Sequence, residues 1–438
     1  MPSTDAQIAA LPVRGTWQCY VHKLRTWLTG PDGLPVRPYL MLVVSVQDGR
    51  FLSCEPEDGT SNPNVTKSEP SPETVLAFLR RVMTHPRQIN ESESEEKLAP
   101  ARPETIKFAD TVTAGLHRGD KARWADETRC AYVEGCRAGL AAIGVTDVSF
   151  APVPEALVTK IIREGIEPQM APEEEEYGTQ HLPGLMESVD GFTPAFGASL
   201  FAAAASYVRA APWEKLAARR PIQVQYRLVL REDVAMKLTA FASVVGDAES
   251  GSYGLSVHKT IESAIEAYRL EKKQAEANGD DATNEEIANS AMAAGGQTCM
   301  FQSVYETPFE DADAKEAHGW EIAPGKPDAK EDEENWPLFC KIAFHAGENG
   351  EQDTLELTRP AIIELQCFEL SFKAIVDLVH SGELKARGDA EEDAAGPWTV
   401  KVKSAAGSME GEEVDVEVEV SLPAIPREGE GGAGGEFL

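Results

Sequence analysis

The sequence predicts an α+β fold: two or more mixed or antiparallel sheet modules, each backed by helices, with a βαβα-like segment in the N-terminal half. Three observations lead there. The order strand, strand, tight turn, strand, capped helix is stated twice, from TWQCYVHKL to a helix at Ser71 and from PIQVQYRLVL to a helix at Thr260. Between them ETIKFAD, a long helical pattern, VSFAPV and a second helical pattern alternate, which favours a parallel crossover. Near the end WTVKV faces VDVEVEV, whose valines alternate with acids at the period of a half-buried strand.

In order, TWQCYVHKL, YLMLVVSV, a turn at Asp48-Gly49 and RFLSCE form the first strand set. SPETVLAFLRRVMTH predicts a helix because Ser71 is an N-cap residue, Pro72 suits the first helical position, and Val75, Leu76, Leu79 and Val82 share one face. The acidic NESESEEKLAPARP reads as a linker. In ARWADETRCAYVEGCRAGLAAIG the apolar positions Tyr132, Val133, Leu140 and Ile143 precede Gly144, which is placed as a C-cap. PEALVTKIIREG closes an N-terminal α/β domain expected over residues 1–168.

Proline, glycine and a glutamate run then predict an acidic linker over 169–192. The C-terminal α+β domain, expected over 193–422, opens on a helix with Thr193 as cap and Pro194 in its first turn. The second strand set follows, with its turn through Gly246 to Gly251, then a polar run, the strand TCMFQSVYE, a short helix DADAKEAHG, the strand LFCKIAF, the helix RPAIIELQCFELSFKAIVDLV and the hairpin. Residues 423–438, glycine- and glutamate-rich, are expected to be a disordered tail.

The 438 residues carry a formal net charge of -32, which repels nucleic-acid phosphates and anionic headgroups and leaves only short basic runs such as Arg219-Arg220. Nucleic acid and membrane surfaces are therefore excluded as partners, and the acidic loops read as solvated. Seven scattered cysteines without CxxC spacing argue against a disulfide framework or a structural zinc site. MPSTDAQIAALPVRG has no signal-peptide pattern, and FGASLFAAAASYV is too broken and short to span a bilayer, so a soluble cytoplasmic protein is expected.

The densest polar cluster is Asp311, Asp313, Glu316 and His318 ahead of Gly319-Trp320. Asp313 and Glu316, three apart on a helix, share a face and could contribute to a metal-assisted site with further ligands from elsewhere. The favoured reading is an Asp-capped turn stopped by Gly319, with Trp320 packed beneath. Asp110, His117, Asp120 and Asp126 form a second group whose spacing matches no mechanism, and Cys130 with Cys136 makes no metal pair. Ser199 lacks the second glycine of GxSxG and lies on an alanine-rich helix, so packing is favoured over nucleophilic catalysis. Neither glycine turn matches a phosphate loop. Tyr39, Trp213, Trp320 and Trp336 sit at element edges, where rings either staple loops onto a core, the favoured reading, or anchor a partner peptide.

TWQCYVHKL with RPYLMLVVS, TPAFGASLFAAAASYVRAAPWEKL with PIQV, VVG with YGLSV, FEDADAKEAHGWEIA, and RPAIIELQCFELSFKAI with the valine-rich hairpin occur in an order that resembles a mostly bacterial family of domains of unknown function, with relatives expected in algae. The resemblance covers about Thr16 to Val420 and departs after HGWEIA, where PGKPDAKEDEENWPLF replaces an expected Ala-Tyr-Pro. It implies a shared fold and no activity.

The functional expectation is a non-enzymatic binding or scaffolding protein with a protein or peptide partner, no cofactor and no metal, and Tyr39, Trp213 and Trp320 as candidate binding residues. The alternative is a metal-assisted hydrolase using Asp313, Glu316 and His318.

Overall fold

The structure, a computed structural model, describes residues 4–29, 35–54, 62–88, 96–110, 131–151, 164–167, 179–216, 220–231, 234–246, 253–276, 297–323, 335–345, 354–383, 395–404 and 414–426. It is an α+β fold that divides into two compact units, Met1–Tyr177 and Gly178–Leu438.

The first unit is built on a mixed sheet. Its strands are β1 (Thr16–Lys23), β4 (Tyr39–Ser45), β5 (Arg50–Cys54), β6 (Val65–Thr66), β7 (Pro86–Gln88), β8 (Glu96–Lys97), β9 (Thr105–Asp110) and β10 (Asp147–Phe150), while β2 (Leu28–Thr29) and β3 (Pro35–Val36) form a separate ribbon. The order is β10-β9-β1-β4-β5-β7-β8, with β6 beside β4. β9 and β10 run parallel to β1 and to each other, as the crossover pattern predicts. A short helix α1 (Asp5–Ala9) precedes the sheet.

Trp17, Cys19 and Val21 point from β1 into a core shared with α2 (Pro72–Thr84) and α3 (Ala131–Ala142). Tyr20 points to the opposite face, against Leu40, Leu42 and Ala109. Burial on both faces explains why β4 reads YLMLVVS, a nearly continuous apolar run without polar alternation. α2 starts as predicted: the Ser71 hydroxyl accepts from the Thr74 N–H and Pro72 occupies the first turn.

The second unit is built on an eight-stranded antiparallel sheet. Its strands are β11 (Pro221–Arg231), β12 (Val234–Gly246), β13 (Tyr253–His258), β14 (Gln297–Gln302), β15 (Trp336–His345), β16 (Thr354–Thr358), β17 (Ala395–Ser404) and β18 (Val414–Leu422). Their order is β16-β15-β14-β13-β12-β11-β18-β17, so the final hairpin joins the edge of the strand set that the sequence repeats. The helices are α4 (Leu185–Ser188), α5 (Pro194–Ala210), α6 (Ile261–Glu276), α7 (Phe309–His318) and α8 (Ile362–Ser381).

α5 and α8 lie side by side, and their apolar residues share one core with the inward faces of the strands. Phe201, Tyr207, Phe339, Phe368 and Phe372 fill its centre, with Tyr207 4.8 Å from Phe372 between ring centroids. α6 packs against β11, β12 and β13. Thr193 caps α5 through the Phe196 N–H, as predicted.

Two boundaries differ from the sequence expectation. Leu185, Val189 and Phe192, inside the expected linker, are buried in the core of the second unit because their apolar spacing continues into α5; residues 168–178 lie outside the described set. The start of the expected tail is also anchored. Ile425 is buried against Ile265 and Tyr268, Arg220 donates to the Pro423 carbonyl at 3.0 Å, and Arg269 donates to that of Pro426 at 2.7 Å. Residues 427–438 lie outside the described set. Among the described residues no helix is long and apolar enough to cross a membrane.

Gly254 on β13 shows how tightly the sheet and α5 close. A Cβ there would stand 2.2 Å from the Cys299 carbonyl oxygen of β14, and the Gly254 carbonyl accepts from the Tyr207 hydroxyl at 2.9 Å. The obstacle is backbone, which cannot rotate away. Gly254→Ala is expected to destabilise by about 1–3 kcal/mol, the cost of overpacking, measured by urea denaturation against wild type; an unchanged midpoint would show that β14 yields freely.

Candidate functional site

A polar cluster lies where α5, α8 and β17 meet. Glu369 sits mid-way along α8, fully buried, on a face it shares with Lys373 and the apolar Leu365, Phe372 and Val376. One carboxylate oxygen accepts from the Ser199 hydroxyl at 2.5 Å and from Lys373 Nζ at 2.7 Å; the other accepts from the Ser404 hydroxyl at 2.6 Å. Lys373 also donates to Ser199 Oγ at 2.8 Å and to the Lys403 carbonyl at 2.5 Å. An ammonium has three donors, and these three acceptors match them. The i, i+4 spacing of Glu369 and Lys373 brings the pair together on one helix, and the edge of the sheet supplies the rest.

This arrangement holds Ser199 without activating it. A Ser–Lys mechanism needs a neutral amine that accepts the hydroxyl proton, whereas Lys373 pairs with a buried carboxylate and Ser199 donates to that carboxylate. Ser199 is also inside the helical run of α5, where backbone N–H groups are committed to the helix and none is free to stabilise an oxyanion. The geometry gives Ser199 a hydrogen-bonding place between Glu369 and Lys373.

Above the cluster is a groove of about 550 Å³. Ala195, Ala198 and Ala202 of α5 form one wall, Val376 of α8 contributes to the floor, and Lys401 and Val402 of β17 form the other wall. β17 is the last strand of its sheet, so along the groove it offers an edge with no strand paired on that side among the described residues, its Lys403 carbonyl already accepting from Lys373.

The second buried ion pair belongs to the acidic segment that the sequence singles out, but its carboxylate is Asp311. Asp311 Oδ2 meets Arg359 Nη2 at 2.6 Å, both side chains being only 3% exposed, and Oδ1 accepts from the Leu185 N–H at 2.8 Å. Arg359 spends its other donors on the carbonyls of Pro183 at 2.7 Å and Phe339 at 2.9 Å. The guanidinium fork therefore ties the segment before α4, the helix α7 and the strand β15 together. Asp313 and His318 are half-buried and Glu316 is exposed. The cap of α7 is Pro308, correcting the expectation of an Asp cap; Asp311 in the first turn cannot cap its own helix because it turns to Leu185 and Arg359. Gly319 does stop the helix, with φ of 66°. Among the described residues no group of three or more His, Cys, Asp or Glu side chains is gathered as a metal would need.

No protein-family model, curated protein or solved structure matches this chain.

The candidate aromatic anchors have defined places. Trp320 is buried, donates from its indole N–H to the Pro194 carbonyl at 3.2 Å and lies 4.7 Å from Phe201 between centroids. Tyr39 is buried in β4. Burial leaves neither ring a face for a partner, which corrects the expectation that they bind one. Trp213 is half-buried and stacks on Tyr253 at 4.2 Å. Trp336 is buried, with Lys315 Nζ 5.6 Å above its ring. Asp110 ends β9, whereas His117, Asp120, Asp126 and Cys130 lie outside the described residues. Cys136 is buried in α3. Burial pushes the thiol of Cys340 up to about 11, although Arg359 opposes it, and raises those of Cys299 and Cys367 as well. These thiols stay protonated and behave as small apolar groups.

The sequence reading passed over Glu369, Lys373 and Ser404. The signal was available in FELSFKAI: a glutamate and a lysine four apart, at positions 369 and 373, share a helix face with the apolar Leu365, Phe372 and Val376, so that face carries both charges.

In the first unit one buried carboxylate is pH-sensitive. Glu167 accepts from the Arg25 N–H at 2.7 Å and lies 3.7 Å from His22 Nε2. Burial by itself pushes the carboxyl up, but hydrogen bonds from His22 and the Arg25 backbone outweigh it and hold it below the usual glutamate range. With the folded value below the unfolded one, the contact stabilises fully above the unfolded range and its contribution is lost as pH falls through the folded value. Urea denaturation between pH 7 and pH 3 is expected to show a steeper acid loss for wild type than for Glu167→Gln; parallel curves would remove Glu167 as the cause.

Proposed function

We propose that this chain is a non-enzymatic binding protein that receives an extended segment of a partner in the groove between α5, α8 and the edge of β17. The observation that carries the reading is the outer edge of β17, on which no strand is paired among the described residues, beside a groove under which Glu369 and Lys373 pair with each other. Such an edge supplies main-chain hydrogen bonds to an added strand, and the walls read its side chains. The Ser199, Glu369, Lys373 and Ser404 cluster fixes α8 to β17 and so keeps the groove open. The resemblance to a family of unknown function adds no activity to this reading.

The test is a panel of immobilised ten-residue extended peptides of varied sequence, probed with the full-length protein. Binders are expected whose retention is lost with Ala198→Trp, a substitution at an exposed position of α5 that fills the groove. A panel without binders, or binders indifferent to that variant, would overturn the reading.

A further inference from the structure

Resting on that reading, we infer that the groove takes an acidic strand: a partner segment in which carboxylates alternate with β-branched apolar residues, added antiparallel or parallel to the outer edge of β17. The chain itself displays the complement. On the inner edge β17 pairs with β18, and the register sets Lys401 opposite Glu417 and Lys403 opposite Asp415, while Val400 faces Val418 and Val402 faces Val416. The valines are buried toward the helices and the charged residues are exposed on the other face. Directly opposed unlike charges and β-branched pairs are the favourable rungs of a sheet.

A strand laid on the outer edge meets the same row from its other side. Its acids would flank Lys401 and Lys403, and its apolar residues would point inward against Ala198, Ala202 and Val376. The wall of α5 carries Ala195, Ala198, Ala202 and Ala203 beside Ser199 and Ser206, which leaves volume for valine- or isoleucine-sized side chains; Asp377 of α8 lines the same groove, so the acids of the added strand belong on the lysine face and not inward. A second copy of the chain is the poorer occupant. Edge-to-edge pairing of β17 with itself brings two lysine rows together, and each copy carries a net charge of -32. That same charge opposes an acidic ligand at long range. At 0.15 M salt the screening length is about 8 Å, which removes most of the long-range term and keeps the rungs.

The probe is the fluorescein-labelled peptide VDVEVEV, the sequence of residues 414–420, against its charge-reversed form VKVKVKV, titrated with full-length protein at 0.15 M NaCl and read by anisotropy. The acidic peptide is expected to bind saturably and at least tenfold more tightly than the basic one. K401E/K403E should reverse the preference, and Ala198→Trp should abolish binding while far-UV circular dichroism stays that of wild type. Binding that survives Ala198→Trp would mean exchange with β18 and would overturn the inference, as would no saturable binding of VDVEVEV or a preference that ignores K401E/K403E. If panel peptides bind in an Ala198→Trp-sensitive way without an acidic preference, this inference falls and the binding reading stands.

Discussion

Replacing Arg359 with Met is expected to destabilise the second unit by about 3–5 kcal/mol, the cost of breaking a buried ion pair from one side. The methionine fills part of the space, but Asp311 would keep its charge with only the Leu185 N–H in support. The carbonyls of Pro183 and Phe339 would lose their donor in the same step. At about 2–4 °C per kcal/mol for a domain of this size, the midpoint of thermal unfolding should fall by roughly 6–20 °C. Arg359→Lys should fall between the two, because one ammonium cannot reproduce a planar fork aimed at three acceptors. Guanidinium denaturation of the three proteins measures the order, and a loss under about 1 kcal/mol for Arg359→Met would show that the carboxylate is resolvated by local opening.

The elements that were legible in the sequence are those specified locally. Ser71 with Pro72, Thr193 with Pro194, and Gly319 act within one helical turn, and each sits where its chemistry predicts. The twice-stated strand grammar is also local: β1, β4 and β5 are neighbours in one sheet, and β11, β12 and β13 are neighbours in the other. What surrounds those sets differs, since β1 gains a parallel neighbour in β9 whereas β11 gains β18 from nearly two hundred positions later. No periodicity encodes that choice. Nor could the pattern distinguish Asp311 from Asp313, two positions apart on one helix, because the outcome depends on where Arg359 arrives from β16.

The groove was illegible for the same reason. Ser199 and Glu369 are 170 positions apart, and a glutamate and lysine at i, i+4 read as an exposed helical pair until the rest of the helix is weighed. Tyr39 and Trp320 show the opposite difficulty. Large rings beside proline and glycine suit both a binding anchor and a loop staple, and only burial separates the two; Trp320, jammed against Gly197 so closely that a Cβ there would stand 2.3 Å from its ring, is a staple.

Lys373→Met should reveal how the cluster is held together. Removing the ammonium leaves Glu369 buried with two hydroxyl donors and no countercharge, and breaking a buried pair this way costs about 3–5 kcal/mol. Lys373 is 19% exposed whereas Glu369 is 0% exposed, so water reaches the cation more easily than the carboxylate and the lower end of that range is expected. The double variant Glu369→Leu with Lys373→Met removes both charges. It strands the hydroxyls of Ser199 and Ser404, at about 1–3 kcal/mol for each left unsatisfied, but it relieves the desolvated carboxylate. The double variant is therefore expected to lose less than the sum of the two single variants, a non-additivity that urea denaturation of all four members of the cycle measures directly. Additive losses would mean that Glu369 and Lys373 act independently. In that case the Lys373 bond to the Lys403 carbonyl, which joins α8 to the groove edge of β17, would remain as the lysine's own contribution to the fold.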